Sequence, residues 1–478
     1  MKKEKLRGDP TRRGFFGSGL TAGALGVANS NASQQSRPTP ARRPSRLPNI
    51  VLVMADQFRH DALGLANPAV KTPNIDRLAR SGVRFTHCFT PQPLCTPARA
   101  SMLTSYYPHV HGLDKNVYPD IAPDWRSRVH LTANPFTESE FKLTWAFPFL
   151  LQQAGYQTAC FGKWHLGTVN PGFFDMWRGY NSWLGPWVGK QDASDYRSDL
   201  ETDSAIKFMN ENASKPFFTF MGYYPPHDPY LAPRRFASMY DGMTGDQAAY
   251  YACVSNIDWN VGRLMRTLEE LRLVDDTLVI FTSDHGETFQ SEADGPRPGS
   301  LHKAVCNEDS IRVPLILRYP RQLPSGRTLT SGASLLDIYP TLLDLTGIEA
   351  PPPRRAVSLH PLQGRSLYQR MLNHASDKWE DPIIVQTWTL PAKAFGDSPS
   401  IQRCIRTSDW KLIVKELPER PEIRADELYH LTADPGEMNN LIRNAESGLK
   451  RQELGASLAE WGNRWNDRYS VKLGQRYL

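Results

Sequence analysis

Short, unbroken apolar runs that stop at a polar residue, separated by helical stretches, constrain this chain more than any other feature. Ile50-Val51-Leu52-Val53-Met54 stops at Ala55-Asp56, and Leu278-Val279-Ile280-Phe281 stops at Thr282-Ser283-Asp284. Runs of this length without alternation suit strands buried on both faces of a parallel sheet. Tyr156 to Phe161, Phe217 to Tyr223 and Val313 to Leu317 are read the same way. Between them, residues 72–81, Phe147 to Ala154, Asp199 to Asn212 and Leu335 to Leu345 read as helices. In a further helix Val254, Ile257, Val261, Leu264, Leu268 and Leu271 recur at steps of three and four, one apolar face. The rhythm predicts an α/β fold, a mostly parallel sheet sandwiched by helices. Such sheets bind ligands beyond the carboxyl ends of their strands, where Asp56 and Asp284 stand.

The texture changes after Pro351-Pro352-Pro353. Pro382 to Trp388 reads as a strand, Cys404 to Val414 as a hairpin turning at Ser408-Asp409, and Leu454, Leu458, Trp461 and Trp465 mark a final amphipathic helix. This predicts a smaller C-terminal antiparallel sheet with a helix. The expected division is a catalytic domain over 48–374 and a C-terminal α+β subdomain over 375–478. Ahead of both, Thr11-Arg12-Arg13-Gly14-Phe15-Phe16 precedes a glycine-rich apolar stretch and the small residues Ser30-Asn31-Ala32. That pattern resembles a bacterial twin-arginine signal peptide over 1–32, followed by a disordered linker over 33–47. The run is too short and too glycine-rich for a comfortable membrane anchor. Residues 1–47 carry ten Lys/Arg and two Asp/Glu of the chain's 56 and 50, leaving 46 and 48 for the rest. The net charge of +6 therefore belongs to the leader, and nothing supports nucleic-acid binding. The six cysteines show neither a disulfide framework nor a Cys-x-x-Cys metal site.

One of those cysteines has telling neighbours. Cys95-Thr96-Pro97-Ala98-Arg99 opens a predicted helix, with Pro97 in the first turn. Residue 95 then lies at a helix N-terminus, a place that favours an anion. Five more segments stand in order around it: Asp56-Gln57-Phe58-Arg59-His60-Asp61, Gly162-Lys163-Trp164-His165-Leu166-Gly167, Pro225-Pro226-His227-Asp228-Pro229, Thr282-Ser283-Asp284-His285-Gly286-Glu287, and His302-Lys303 with Asn307-Glu308-Asp309-Ser310. Towards the end come Arg406-Thr407-Ser408-Asp409-Trp410-Lys411-Leu412, Glu427-Leu428-Tyr429 and Asp434-Pro435-Gly436-Glu437. Taken together these motifs resemble the type I, formylglycine-dependent sulfatases of the alkaline phosphatase-like superfamily. The resemblance covers nearly the whole chain after the leader.

The resemblance implies that Cys95 is oxidised to formylglycine by a maturation enzyme. The aldehyde hydrate is the nucleophile, splitting one hard step into two easier ones. It implies one divalent cation at Asp56, Gln57, Cys95, Asp284 and His285, with calcium first and manganese or magnesium as alternatives. Arg99 would support residue 95. Lys163 and Lys303 would clamp sulfate oxygens, His227 would act with Lys303 as acid toward the leaving alcohol, and His165 would be the base that expels sulfate. Gln57 and His285 depart from the acidic and amide residues common at those places; imidazole is a softer ligand than an amide oxygen. They also resemble choline sulfatases and phosphonate monoester hydrolases, which tend to lack the Lys-x-His seen here at 163 and 165. The expected function is hydrolysis of sulfate monoesters, from a sulfated carbohydrate by analogy, in the periplasm or outside the cell after export by the twin-arginine machinery. The alternatives are a phosphonate monoester or phosphodiester hydrolase and an unmodified, glycan-binding pseudo-sulfatase. Trp177, Trp183 and Trp187 offer either a sugar-stacking platform or ordinary packing. Gln290, Glu292 and Arg297, in the loop from Thr288 to Leu301, are placed to read the leaving group. His109 and His111 receive no role.

Overall fold

The computed structural model describes residues 47–117, 146–182, 184–188, 195–289, 303–349, 361–373, 377–389, 400–418 and 425–478. The expected leader, all but the last residue of the expected linker, Trp183, His302 and the loop residues Gln290, Glu292 and Arg297 lie outside the described residues.

Among the described residues the larger sheet has β1 (Asn49–Ala55), β2 (Val83–Phe89), β3 (Gln157–Lys163), β4 (Met176–Tyr180), β5 (Phe217–Tyr223), β6 (Thr277–Ser283), β7 (Arg312–Arg318), β8 (Arg327–Leu329) and β9 (Ala333–Ser334). Their spatial order is β4-β3-β5-β1-β6-β7-β2-β8, with β9 also paired to β2. Only β7 runs against the others, antiparallel to both β6 and β2. Every residue of β1, β5 and β6 is buried, as their unbroken apolar runs require.

Alternate residues of β1 serve opposite faces. Val51 and Val53 join Met221 and Phe281 beneath α1 (Pro73–Arg80), α4 (Arg197–Glu211) and α5 (Asp246–Glu270), which contribute Ile75, Phe208, Val254, Ile257, Val261 and Leu264. Ile50, Leu52 and Met54 join Phe220 and Ile280 against α2 (Cys95–Thr104), α3 (Phe147–Gln153) and α6 (Ile338–Thr346). Burying each such side chain is worth roughly 1.5–3 kcal/mol. The helix expected over 335–345 begins as a single 3₁₀ turn, Leu335–Asp337, before α6, and Gly347 ends it with φ of 69°. The Trp-rich stretch proves to contain β4. The Trp177 ring packs 5.9 Å from Trp164 and 5.7 Å from Phe174, and Trp187 sits edge-on to Tyr196 at 5.0 Å.

A second sheet, β10 (Ile383–Thr389), β11 (Ser400–Arg406), β12 (Trp410–Glu416) and β13 (Glu427–His430), is antiparallel throughout. It packs with α7 (Gly448–Trp465) and α8 (Arg468–Gly474) around Ile405, Leu412, Leu428, Leu454, Leu458 and Leu473. His109 belongs to this junction, with Nε2 2.9 Å from Trp465 O and Nδ1 near the Gln386 amide. His111 is buried beside Ser101 Oγ at 2.9 Å. All six cysteines are buried free thiols. No helix among the described residues is long and apolar enough to cross a membrane.

The strands β3 and β5 approach closely at two glycines. A Cβ on Gly222 would stand 2.1 Å from Lys163 O, and one on Gly162, at φ of 85°, would stand 2.2 Å from Gly222 O. Gly222→Ala is therefore expected to destabilise the protein by roughly 2–3 kcal/mol, because backbone rather than a flexible side chain must move. Urea unfolding checks this; a loss below about 0.5 kcal/mol, the size of an ordinary surface change, would contradict the close approach.

Candidate active site

Adjacent strands deliver the site residues from their carboxyl ends. Asp56 follows β1, Asp284 follows β6, Lys163 ends β3, and His227 lies four residues beyond β5. The strand order β3-β5-β1-β6 therefore sets the side-by-side order of these groups. Cys95 opens α2, whose ten residues are all buried, so the positive end of the helix dipole acts on residue 95 where water cannot screen it.

Arg99, one turn on, ties the floor together. Its Nε donates to Asp284 Oδ2 at 2.9 Å, Nη2 to Asp56 Oδ2 at 3.2 Å, and Nη1 to Lys163 O at 2.5 Å. Lys163 Nζ sits 2.5 Å from Asp56 Oδ2, 3.8 Å from Cys95 Sγ, and 4.7 Å from the centre of the Tyr224 ring. Asp56 thus stays well below the usual carboxylate range: burial and Cys95 push it up, but Lys163, His227 and Arg99 outweigh them. Asp284 is raised, by burial first and by the neighbouring Asp56 second.

The far side of Cys95 is equally crowded. His285 Nδ1 donates to Gly286 O at 2.9 Å, which turns Nε2 toward Cys95 Sγ at 3.3 Å and Asp56 Oδ1 at 3.6 Å. Lys303 Nζ reaches Cys95 Sγ at 3.8 Å, Gln57 Oε1 at 2.8 Å, and His227 Nε2. His227 Nδ1 in turn faces Asp228 O at 2.7 Å and Tyr224 OH at 2.9 Å. His165 is buried close to Cys95; burial, with the Lys163 charge second, lowers its imidazole to about 4. Its backbone is fixed by Thr96 Oγ1, which donates to His165 O at 2.7 Å, while Asn116 Oδ1 accepts from Thr96 N at 3.0 Å. Burial alone would push the Cys95 thiol up, yet Lys163, Lys303 and His285 hold it well below its ordinary value.

Asp56, Cys95, Asp284 and His285 each offer a ligand atom, all within 4.8 Å of one another and all buried. Ligands at about 2.4 Å on opposite sides of one cation stand no more than about 5 Å apart, so the set fits a single divalent ion. The donors also suit it, with two hard carboxylates and an imidazole whose Nε2 faces inward. Gln57 stands differently. Its backbone N–H donates to Asp284 Oδ1 at 3.1 Å, its amide oxygen is held by Lys303, and its amide nitrogen donates to Glu287. Glu287, quoted in the sequence motif without a role, also accepts from Tyr230 OH at 2.7 Å. Gln57, His165 and Ala304 adopt left-handed φ values of 68°, 57° and 64°, unusual for residues other than glycine. Asn116, Glu287, Tyr224 and Tyr230 are the neighbours that spacing alone left unassigned.

The Sulfatase family model matches residues 48–348, more than half of the chain. The chain belongs to the sulfatase family. A second family model, for the C-terminal region of N-sulphoglucosamine sulphohydrolase, matches residues 298–463. An N-acetylglucosamine-6-O-sulfatase from Bacteroides thetaiotaomicron is 27% identical over 94% of this chain and 94% of its own. An ulvan-active sulfatase from Formosa agariphila is 28% identical over 91% of this chain and 84% of its own. A structure solved with its substrate D-glucosamine-2-N,6-O-disulfate superposes with a TM-score of 0.68 at 25% identity, covering 88% of this chain and 99% of that one.

The repulsion between Asp56 and Asp284 predicts a measurable cation response. Chelator-treated protein should unfold less readily once calcium, manganese or magnesium is added, gaining about 2.7 kcal/mol at a hundred times the dissociation constant. Asp284→Ala should abolish that gain. Thermal unfolding with each ion checks it, and no response to any of the three would contradict the metal fit.

Proposed function

We propose that this sulfatase hydrolyses sulfate monoesters of a sulfated carbohydrate, using a formylglycine made from Cys95 and one divalent cation. The observation that carries the reading is convergence: Lys163 Nζ and Lys303 Nζ at 3.8 Å and His285 Nε2 at 3.3 Å all face the single atom Cys95 Sγ. Three nitrogen groups around one buried atom make a receptor for a tetrahedral oxyanion, in a place where preorganised charge counts for most. The named activities of the relatives support the carbohydrate.

The cation, held by Asp56, Asp284, His285 and the residue-95 side chain, would supply Lewis-acid polarisation of a sulfate oxygen. Calcium fits the two carboxylates, and the His285 nitrogen leaves manganese open. Oxidised residue 95 would supply a hydrated aldehyde as nucleophile, its oxygens standing where Sγ stands now. Arg99 keeps both carboxylates oriented. Lys163 and Lys303 grip the sulfate oxygens as charge spreads. His227, its Nε2 against Lys303, shares with that lysine the proton delivered to the departing alkoxide. His165, kept neutral by burial, accepts a proton from residue 95 when sulfate is expelled. Gln57 orients Lys303 and could reach the metal only by loosening that contact. The leader fits export through the twin-arginine pathway as a folded protein to the periplasm or beyond, with Cys95 matured beforehand.

Protein from a host able to mature such cysteines should show a peptide about 18 Da lighter than the thiol form, the difference between –CH₂SH and –CHO. Cys95→Ala should be inactive yet folded, and Lys163→Ala and Lys303→Ala should each lose about 10²–10³ in kcat/KM. Mass spectrometry and steady-state assays on aryl sulfates and sulfated saccharides check these outcomes. An intact thiol together with inertness toward every sulfate ester, or a large preference for aryl phosphonates, would overturn the reading.

A further inference from the structure

The segment that carries Lys303 is held from the far end of the chain. Thr387 Oγ1, on β10, donates to Ala304 O at 3.3 Å. Lys411 Nζ, on β12, donates to Cys306 O at 3.0 Å. Glu437 Oε2 accepts from Glu308 N at 2.8 Å and from Asn307 Nδ2 at 3.3 Å. The same segment is tied back toward the nucleophile, because Ala304 N donates to Pro93 O at 2.9 Å.

Behind these contacts lies a buried set of charges. Lys411 Nζ stands 2.7 Å from Glu308 Oε1 and 2.6 Å from Glu437 Oε1, and Arg406 Nε stands 3.3 Å from Glu308 Oε1, with no side chain of the four more than 8% exposed. Arg312 Nη1 also lies 3.9 Å from Glu308 Oε2, so two carboxylates face three cations in a heavily desolvated set. Buried ion pairs of this kind add little net stability, and an apolar replacement is often as stable. What they do impose is geometry, since each charge tolerates few arrangements away from water. Here the fixed object is the backbone three to five residues beyond Lys303.

We propose that Glu437, Lys411 and Thr387 are positioning residues for Lys303. They hold residues 304–308 so that its ammonium meets His227 and the sulfate-bearing oxygen. This rests on the reading of Lys303 as a residue acting on the leaving group. A shift of about 1 Å at such a group is enough to cost one to two orders of magnitude in rate.

The test is a series of aryl sulfates of rising phenol pKa, with kcat/KM measured for metal-replete, matured, full-length protein. Lys303→Ala should steepen the dependence on leaving-group pKa. Glu437→Ala should steepen it in the same sense, losing roughly tenfold on the poorest leaving group and under about threefold on the best. Glu437→Gln, which keeps an acceptor for Glu308 N, should recover most of the loss, and Lys303→Ala/Glu437→Ala should be no worse than Lys303→Ala alone. Thr387→Val keeps shape and removes only the hydroxyl, so it should show a smaller steepening even if Glu437→Ala fails to fold. Equal losses on every substrate, or an unchanged slope in folded Glu437→Ala and Thr387→Val, would overturn the proposal. An unchanged slope in Lys303→Ala would instead sink the assignment of Lys303 itself.

Discussion

Everything at this site depends on a guanidinium that cannot lose its proton. Arg99 joins the carboxylates at the ends of two neighbouring strands and the carbonyl at the end of a third. Without it, Asp284 would lose the cation at 2.9 Å and be pushed further up by burial and Asp56, while Asp56 would keep Lys163. Arginine suits this task better than lysine because its planar fork meets several acceptors at once. Lys163 can then spend its single charge between Asp56 and Cys95. Arg99 and Lys163 offset much of the carboxylate charge, Asp284 is still raised by its neighbour, and the inward nitrogen of His285 faces the same space.

Much of this architecture is visible in the amino-acid order. The runs ending at Asp56 and Asp284 announce buried parallel strands because no alternation interrupts them, and both appear as β1 and β6. The antiparallel sense of β7 is not visible in Val313 to Leu317, since a fully buried strand reads alike in either direction. The strands β4, β8, β9 and β13 are short, and most are partly exposed. They carry too few apolar residues to register as a period. Trp177 shows how packing hides in composition, because its partner Trp164 is known only once β3 and β4 are paired.

The site is legible in part, for a different reason. Its lysines, histidines and acids stand in recognisable short segments, whereas the contacts that orient them span long separations. Arg99 and Asp284 are 185 positions apart, and Gln57 and Glu287 are 230 apart. The left-handed backbone at Gln57, His165 and Ala304 leaves no mark either, since none of the three is a glycine. Such conformations cost of order 1–3 kcal/mol and persist where their surroundings over-determine them. At His165 that surrounding is visible: Thr96 grips its carbonyl and the whole side chain is buried.

The grip of Glu437 on Glu308 crosses 129 positions of chain. Synthesis runs from the amino end, so the large sheet can assemble while β12 and Glu437 are still inside the ribosome or not yet made. A nascent or truncated polypeptide would then own every reacting group and still lack the clasp that aligns them. On the proposed role of Glu437, competence is conferred last, by a part of the molecule far in sequence from Cys95.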